Sequence, residues 1–274
     1  MSIALKTLKL KAKRQVYTLL SGNSLSKLYG EGYEFAELRE YQMGDDIRKI
    51  NWTITAKLGK PYIKELHANR ELSVVVSALM DGSLYFGEGN DKQKKLTEVS
   101  TILAYATQHN SELFRGFIYQ KNSNYSTPHT KQIYHIEEFS KKLYEASVLG
   151  TSLNHNLAIE DLFKQISKPS LLFIVGDFLD SVDLSLLAQK HEVIAIIIRD
   201  RAEEKLENLG EITLSSSKSS VKLETYFGKS SIDRYLKRLK EHDEQLQQHF
   251  LSYDIRSVKI FTDEDIIPKL MRLF

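Results

Sequence analysis

From Glu71 onward the apolar positions of the chain alternate between two periods. The runs Leu72–Met80, Leu171–Val175 and Val193–Ile198 are near-continuous, of strand length and rich in aliphatic residues, as expected of strands buried on both faces. Leu113–Tyr119 and Arg256–Phe261 read as further strands. Between them lie helical stripes. Lys92–His109 sets Leu96, Val99, Leu103 and Ala106 three and four residues apart. Glu137–Val148, Leu153–Ile166, Leu184–Lys190 and Ser231–Phe250 are predicted as helices, the last capped by Ser231 and charged on most faces. Asp263–Phe274 is predicted as a final helix, interrupted near Pro268. The β-α-β alternation predicts an α/β core with a mostly parallel sheet flanked by helices. Residues 211–227, with a serine-rich centre, predict a hairpin inserted into that core.

The first seventy residues follow another pattern. A helical Ile3–Leu20 carries Lys6, Lys9, Lys11 and Lys13, and reads either as a surface helix with solvated lysines or as a basic amphipathic helix on a membrane. Ser21–Gly32 reads as loop, and Tyr33–His67 as short strands with one helical turn. The expected organisation is thus a helix and small β-rich subdomain over residues 1–70, then a core over 71–274. Composition narrows the functional classes. The 274 residues carry a net charge of +2, which makes no electrostatic case for nucleic acid. The absence of cysteine excludes disulfides and thiol chemistry. No apolar run reaches the roughly 20 residues of a transmembrane helix, and no secretory signal is read, so the cytoplasm is the expected compartment.

The candidate chemistry lies at two strand ends. Asp81-Gly82-Ser83 closes one apolar run and Asp177 another, and in open parallel sheets the crevice beyond the strand ends is where ligands bind. Carboxylate and hydroxyl oxygens suit a hard cation, Mg²⁺ or Mn²⁺, and Gly82 permits the sharp turn that lets Asp81 and Ser83 face one point. Thr151, after Gly150, offers either a further hydroxyl ligand or a helix N-cap.

The order Asp81, Ser83, Thr151, Asp177 resembles the metal-ion-dependent adhesion site of the von Willebrand factor A domain, built from Asp-x-Ser-x-Ser, a threonine and an aspartate on three loops. Tyr85 stands where that motif has its last serine, so the site is a degenerate one. A longer resemblance lies upstream. The string from Gly32 to Tyr41, continued through Gly44-Asp45-Asp46-Ile47-Arg48 to Trp52, with Thr55-Ala56-Lys57 and Lys64-Glu65, is similar to the signature of the bacterial family called domain of unknown function 58. That resemblance implies a von Willebrand A-like core after the string. It also implies a non-catalytic adaptor or assembly role beside a MoxR-type AAA+ ATPase.

Arg39, Glu40, Asp45, Asp46 and Arg48 form a mixed-charge cluster near Trp52, the only tryptophan. It reads either as an internal ion-pair network anchored by Trp52 or as part of a partner-docking surface, to which Tyr85 adds an aromatic contact. Three functions compete at the strand ends. One is a cation-dependent interaction module, another a module that has lost the ion and binds by shape. The third is a Mg²⁺-dependent phosphohydrolase with Asp81 as nucleophile and Asp177 on the metal. Against the third, Ser83 stands where a second acid is usual, no GxxxxGK[ST] loop is present, and His155 reads as a helix-surface residue.

Overall fold

The computed structural model describes residues 5–13, residues 38–64 apart from 44, 46, 48, 49, 51, 53, 54, 57 and 58, and residues 73–273 apart from 87–89, 122, 207–209 and 220. The predicted loop over 21–32 lies outside these. A helix, α1, covers residues 5–13. Strands β1 (Leu38–Glu40) and β2 (Tyr62–Lys64) pair antiparallel as a small separate sheet. The core then runs β3 (Ser73–Leu79), α2 (Asp91–His109), β4 (Leu113–Tyr119), β5 (Tyr125–Ser126), α3 (Ile133–Glu145) and α4 (His155–Gln165). It continues with β6 (Leu171–Gly176), α5 (Ser185–Ala188), β7 (Glu192–Arg199), α6 (Arg201–Glu204), β8 (Gly210–Ser215) and β9 (Lys222–Phe227). It ends with α7 (Lys229–Ser252), β10 (Arg256–Phe261) and α8 (Ile266–Leu270).

Six strands form one sheet in the order β10-β7-β6-β3-β4-β5, parallel throughout except for β5 at one edge. Counted within the core, this is the 3-2-1-4-5-6 order of doubly wound sheets. The expected α/β core, a mostly parallel sheet flanked by helices, is the one observed. The near-continuous apolar runs have a simple cause. Side chains alternate across a strand, so Val74, Val76 and Ala78 enter one hydrophobic cluster while Val75 and Leu79 enter the other. Phe173 and Val175 of β6 divide from Leu172 and Ile174 in the same way. α2 and α3 cover the first face, and α4 and α7 cover the second.

Helix α2 is buried along most of its circumference, because it is packed between the sheet, α3 and α1. Its Gln93 donates Nε2 to the carbonyl oxygens of Leu143 and Ala146, satisfying groups at the end of α3. α1 lies against the core rather than standing free. Leu5 and Ala12 are fully buried, Lys11 meets Glu98 at 2.7 Å, and Lys13 sits over the Tyr105 ring. Three local expectations change. Pro268 does not interrupt a helix: α8 begins at Ile266, so the proline lies in the first turn, where no backbone donor is needed. Ser231 does not cap α7, which starts after Gly228. The antiparallel strand β5, two residues long, carries too little pattern to be read from sequence.

At the rim opposite the strand ends, His191 is buried with neither ring nitrogen hydrogen-bonded, and burial pushes its pKa down to about 4. The unfolded chain therefore takes up this proton first as pH falls, and stability drops between the ordinary histidine value near 6.5 and about 4. Urea titrations at pH 7 and pH 4 should show His191 costing about 3 kcal/mol across that window, and His191→Phe should remove that part of the pH dependence.

Candidate functional site

Strands β3 and β6 are hydrogen-bonded neighbours, with Ala78 level with Val175. Asp81 and Asp177 leave them at the same rim. The crevice between these two strands is where the winding of the sheet reverses, the usual ligand position in such folds. After β3 the chain turns through a one-turn 3-10 helix, Gly82–Leu84, capped by Asp81, whose Oδ1 accepts from the Ser83 N–H at 3.3 Å. Asp177 directly follows β6, and its Oδ1 accepts from the Leu179 N–H. Both carboxylates are buried, with 1% and 2% of their surfaces exposed.

Two lysines from distant parts of the chain balance them. Lys92, in the first turn of α2, is wholly buried. Its Nζ lies 2.9 Å from Asp177 Oδ2 and 2.7 Å from Glu203 Oε1 on α6. The other Glu203 oxygen accepts the Asp200 N–H at 2.9 Å, closing a capping box that fixes α6. Burial pushes the Asp177 pKa up, but the Lys92 charge and hydrogen bonds outweigh it, so the group stays below the usual carboxylate value. Its contribution to stability is present above about 3.8 and is lost as pH falls through the depressed value. The Ser83 hydroxyl faces this carboxylate without making a hydrogen bond of normal geometry.

The second lysine, Lys218, comes from the turn of the β8–β9 hairpin. Its Nζ is 3.2 Å from Asp81 Oδ2 and 2.5 Å from Asp180 Oδ2. Burial alone depresses its pKa, but the hydrogen bond to Asp180 and the charges of Asp81 and Asp180 raise it further than burial lowers it. The hairpin turn is pressed onto the rim. Gly150 N–H donates to Ser217 O at 2.8 Å, and a Cβ at Gly82 would lie 2.4 Å from Ser217 O and 2.5 Å from Thr151 O. Only glycine fits at position 82 for this reason of space. His155, the first residue of α4, is buried between the two acids, with Nε2 3.8 Å from Asp81 Oδ2 and Nδ1 3.9 Å from Asp180 Oδ2. It is not the helix-surface residue its position in the sequence suggested.

Asp81, Ser83, Asp177 and Thr151 thus share one rim, but not as a ligand set for a hard cation. Asp81 Oδ2 is held by Lys218 and the Leu153 N–H, and Asp177 Oδ2 by Lys92. Thr151 contributes its carbonyl, which accepts the Gly82 N–H at 3.1 Å, while its hydroxyl donates to Val148 O at 2.6 Å. It is not a helix cap either, since Asn154 caps α4. The donors present do not fit Mg²⁺ or Mn²⁺ in this arrangement. Tyr85 stands on the rim, 42% exposed.

In the N-terminal segment, Glu40 meets Lys60 at 3.0 Å on the surface, and Asp45 accepts the Gln42 N–H at 2.8 Å. The Arg39 backbone pairs with Ile63. Asp46 and Arg48 lie outside the described residues. Trp52 is 69% exposed, so it is not the apolar anchor of an internal network. Sequence reasoning missed Lys92, Asp180, Glu203 and Lys218, and weighed His155, four residues past Thr151, against the site before reading it as helix surface. Lys92 had a signal, a charge one turn before Leu96 on an otherwise apolar stripe, and Lys218 is the one cation in a serine run.

Removing Lys92 leaves two buried carboxylates unpaired. Lys92→Met should cost about 3–5 kcal/mol by urea titration, and adding Asp177→Asn with Glu203→Gln should recover part of it. Gly82→Ala should cost about 1–3 kcal/mol and raise protease sensitivity at the hairpin, because two backbone oxygens must move.

The model of a family described as "Protein of unknown function DUF58" matches residues 37–245. Curated relatives include uncharacterized proteins of Mycobacterium tuberculosis (Rv1480) and Mycobacterium bovis (Mb1516). Each is 23% identical over 279 residues, covering 99% of this chain and 88% of theirs. Among solved structures, the conserved hypothetical protein BatB from Bacteroides thetaiotaomicron aligns over 74% of this chain and 96% of its own, with a TM-score of 0.44 and 7% identity. The family match spans most of the chain and both sides of the rim, and on that ground the chain belongs to the DUF58 family.

Proposed function

We propose that the chain is a non-catalytic protein-interaction module that docks a partner across the rim at the ends of β3 and β6. The observation that carries this reading is an exposed aromatic, Tyr85, standing beside strand-end carboxylates that are paired internally. Aromatic residues on polar surroundings are the usual anchors of interfaces. The N-terminal segment offers a second set of exposed apolar side chains, Met43, Ile47 and Trp52. Glu40 and Asp45 lie in that segment too, and with Arg39, Asp46 and Arg48 they belong to the same docking surface in this reading.

The partner class comes from the family resemblance, a MoxR-type AAA+ ATPase, with this chain as adaptor or assembly factor in the cytoplasm. No helix among the described residues is long and apolar enough to cross a membrane. In this reading the lysines take the place of Mg²⁺ or Mn²⁺, so docking does not depend on a hard cation. The phosphohydrolase alternative sits poorly with Asp81. A nucleophilic oxygen must be free to attack, whereas Oδ1 is bound by the Ser83 N–H and Oδ2 by Lys218 and the Leu153 N–H.

The test is direct binding of the purified chain to a MoxR-type ATPase from the same cell, measured calorimetrically. Tyr85→Ala or Trp52→Ala should weaken binding about 30-fold, the loss typical of an interface anchor, and a chelator should leave affinity unchanged. Binding that survives both substitutions sinks the docking surface; binding abolished by chelation sinks its independence from metal.

A further inference from the structure

We propose that Asp81, His155 and Asp180 form a site for a divalent transition metal of borderline softness, and that Lys218 is a tethered cation holding this site until the metal displaces it. The inference concerns the chemistry of the rim and goes beyond partner binding, which its test does not require. Of the residues the sequence offered as ligands, only Asp81 takes part.

The geometry comes first. One ligand atom from each of the three side chains lies within 4.8 Å of the other two. Metal–ligand bonds of about 2.1 Å place neighbouring tetrahedral ligands roughly 3.4 Å apart, so the set closes on an ion with side-chain shifts of about 1 Å. The three come from different loops, Asp81 from the end of β3, His155 from the start of α4, and Asp180 from the turn after β6. Each loop is fixed by the sheet, which gives the site its pre-organisation.

Three further observations point to a cation here. An ammonium already sits in the cluster, bridging Asp81 and Asp180. A polar cavity of about 350 Å³, lined by Ser152, Asn154, His155, Asn156, Asp180 and Ser181, opens onto the cluster and leaves room for water ligands. The third is charge. Asp81, Asp177, Asp180 and Glu203 bring four carboxylates and Lys92 and Lys218 two ammonium groups, so acids outnumber cations by two. A divalent ion in place of the Lys218 ammonium brings this closer to zero.

The donor set selects the metal. One imidazole and two carboxylates suit Zn²⁺ or Co²⁺, whereas Mg²⁺ prefers oxygen ligands in octahedral array. Binding has a structural consequence. The Lys218 ammonium must withdraw, and it is carried by the hairpin whose Ser217 carbonyl is wedged over Gly82 and Gly150. Withdrawal of the ammonium removes one tie between the hairpin turn and the rim and leaves the Gly150 N–H to Ser217 O hydrogen bond to hold it, so the hairpin is loosened when metal is present.

The test uses the full chain, freed of metal by dialysis against chelator, and titrates it with Zn²⁺ and Mg²⁺ alone in competition with a chromophoric chelator. Lys218→Met should bind one Zn²⁺ at least tenfold more tightly than the wild type, with Mg²⁺ far weaker. Adding His155→Gln should return the affinity to the wild-type level or below. Equal Zn²⁺ affinity in wild type and Lys218→Met overturns the proposal, as does a gain that His155→Gln leaves intact or Mg²⁺ binding as tight as Zn²⁺. The wild-type chain supplies a second arm that needs no variant. Saturating Zn²⁺ should speed amide hydrogen exchange over residues 210–227, and unchanged exchange there means that Lys218 is not displaced. A lost partner interaction with intact Zn²⁺ behaviour would sink the docking reading and leave this one standing.

Discussion

A buried carboxylate cannot stay ionised without a partner, and the strand-end rim of this protein is organised by that requirement. Asp177 is held out of water by the sheet and the helices above it, so its charge must be met within the fold. Lys92 meets it, and by reaching Glu203 as well it ties α2 to α6 across the end of β6. The same contact fixes where α2 begins relative to the sheet. The α6 capping box, through Glu203, and the position of Asp200 before it depend on that pairing in turn.

A second pairing, through Lys218, is of another kind. It joins an element of the core to a hairpin that belongs to no layer of the sheet. Lys218 is only partly buried and its partner Asp180 is 46% exposed, so solvent screens this bridge far more than the Lys92 triad. The inner pairing is therefore suited to stability and the outer one to exchange. Asp180 is open to solvent, while Asp81 and the carboxylates of the Lys92 triad stay buried.

This division differs from the metal-ion-dependent adhesion site that the order Asp81, Ser83, Thr151, Asp177 resembles. There the cation supplies the positive charge at the strand ends and an open position for an incoming acid. Here the positive charge arrives on the chain, at the ends of flexible side chains, and no acidic ligand is needed to complete it. Tyr85, in place of the motif's last serine, exchanges an oxygen ligand for an exposed aromatic surface.

The sequence by itself determined the core strands, their parallel pairing class and the convergence of Asp81 and Asp177. Those follow from the period of apolar residues and from the rule that parallel strands end at one rim. The long elements were legible for this reason, whereas β5 and the short α6 carry too few residues to show a period. Only the tertiary structure decided what those carboxylates touch. Lys92 is 85 residues from Asp177, and Lys218 is 137 positions beyond Asp81, so no local pattern links them. His155 shows the same limit, since its burial depends on a hairpin and a turn that fold over it from elsewhere. Periodicity reports which face of an element is buried; which charges meet there is settled by packing between elements far apart in the chain.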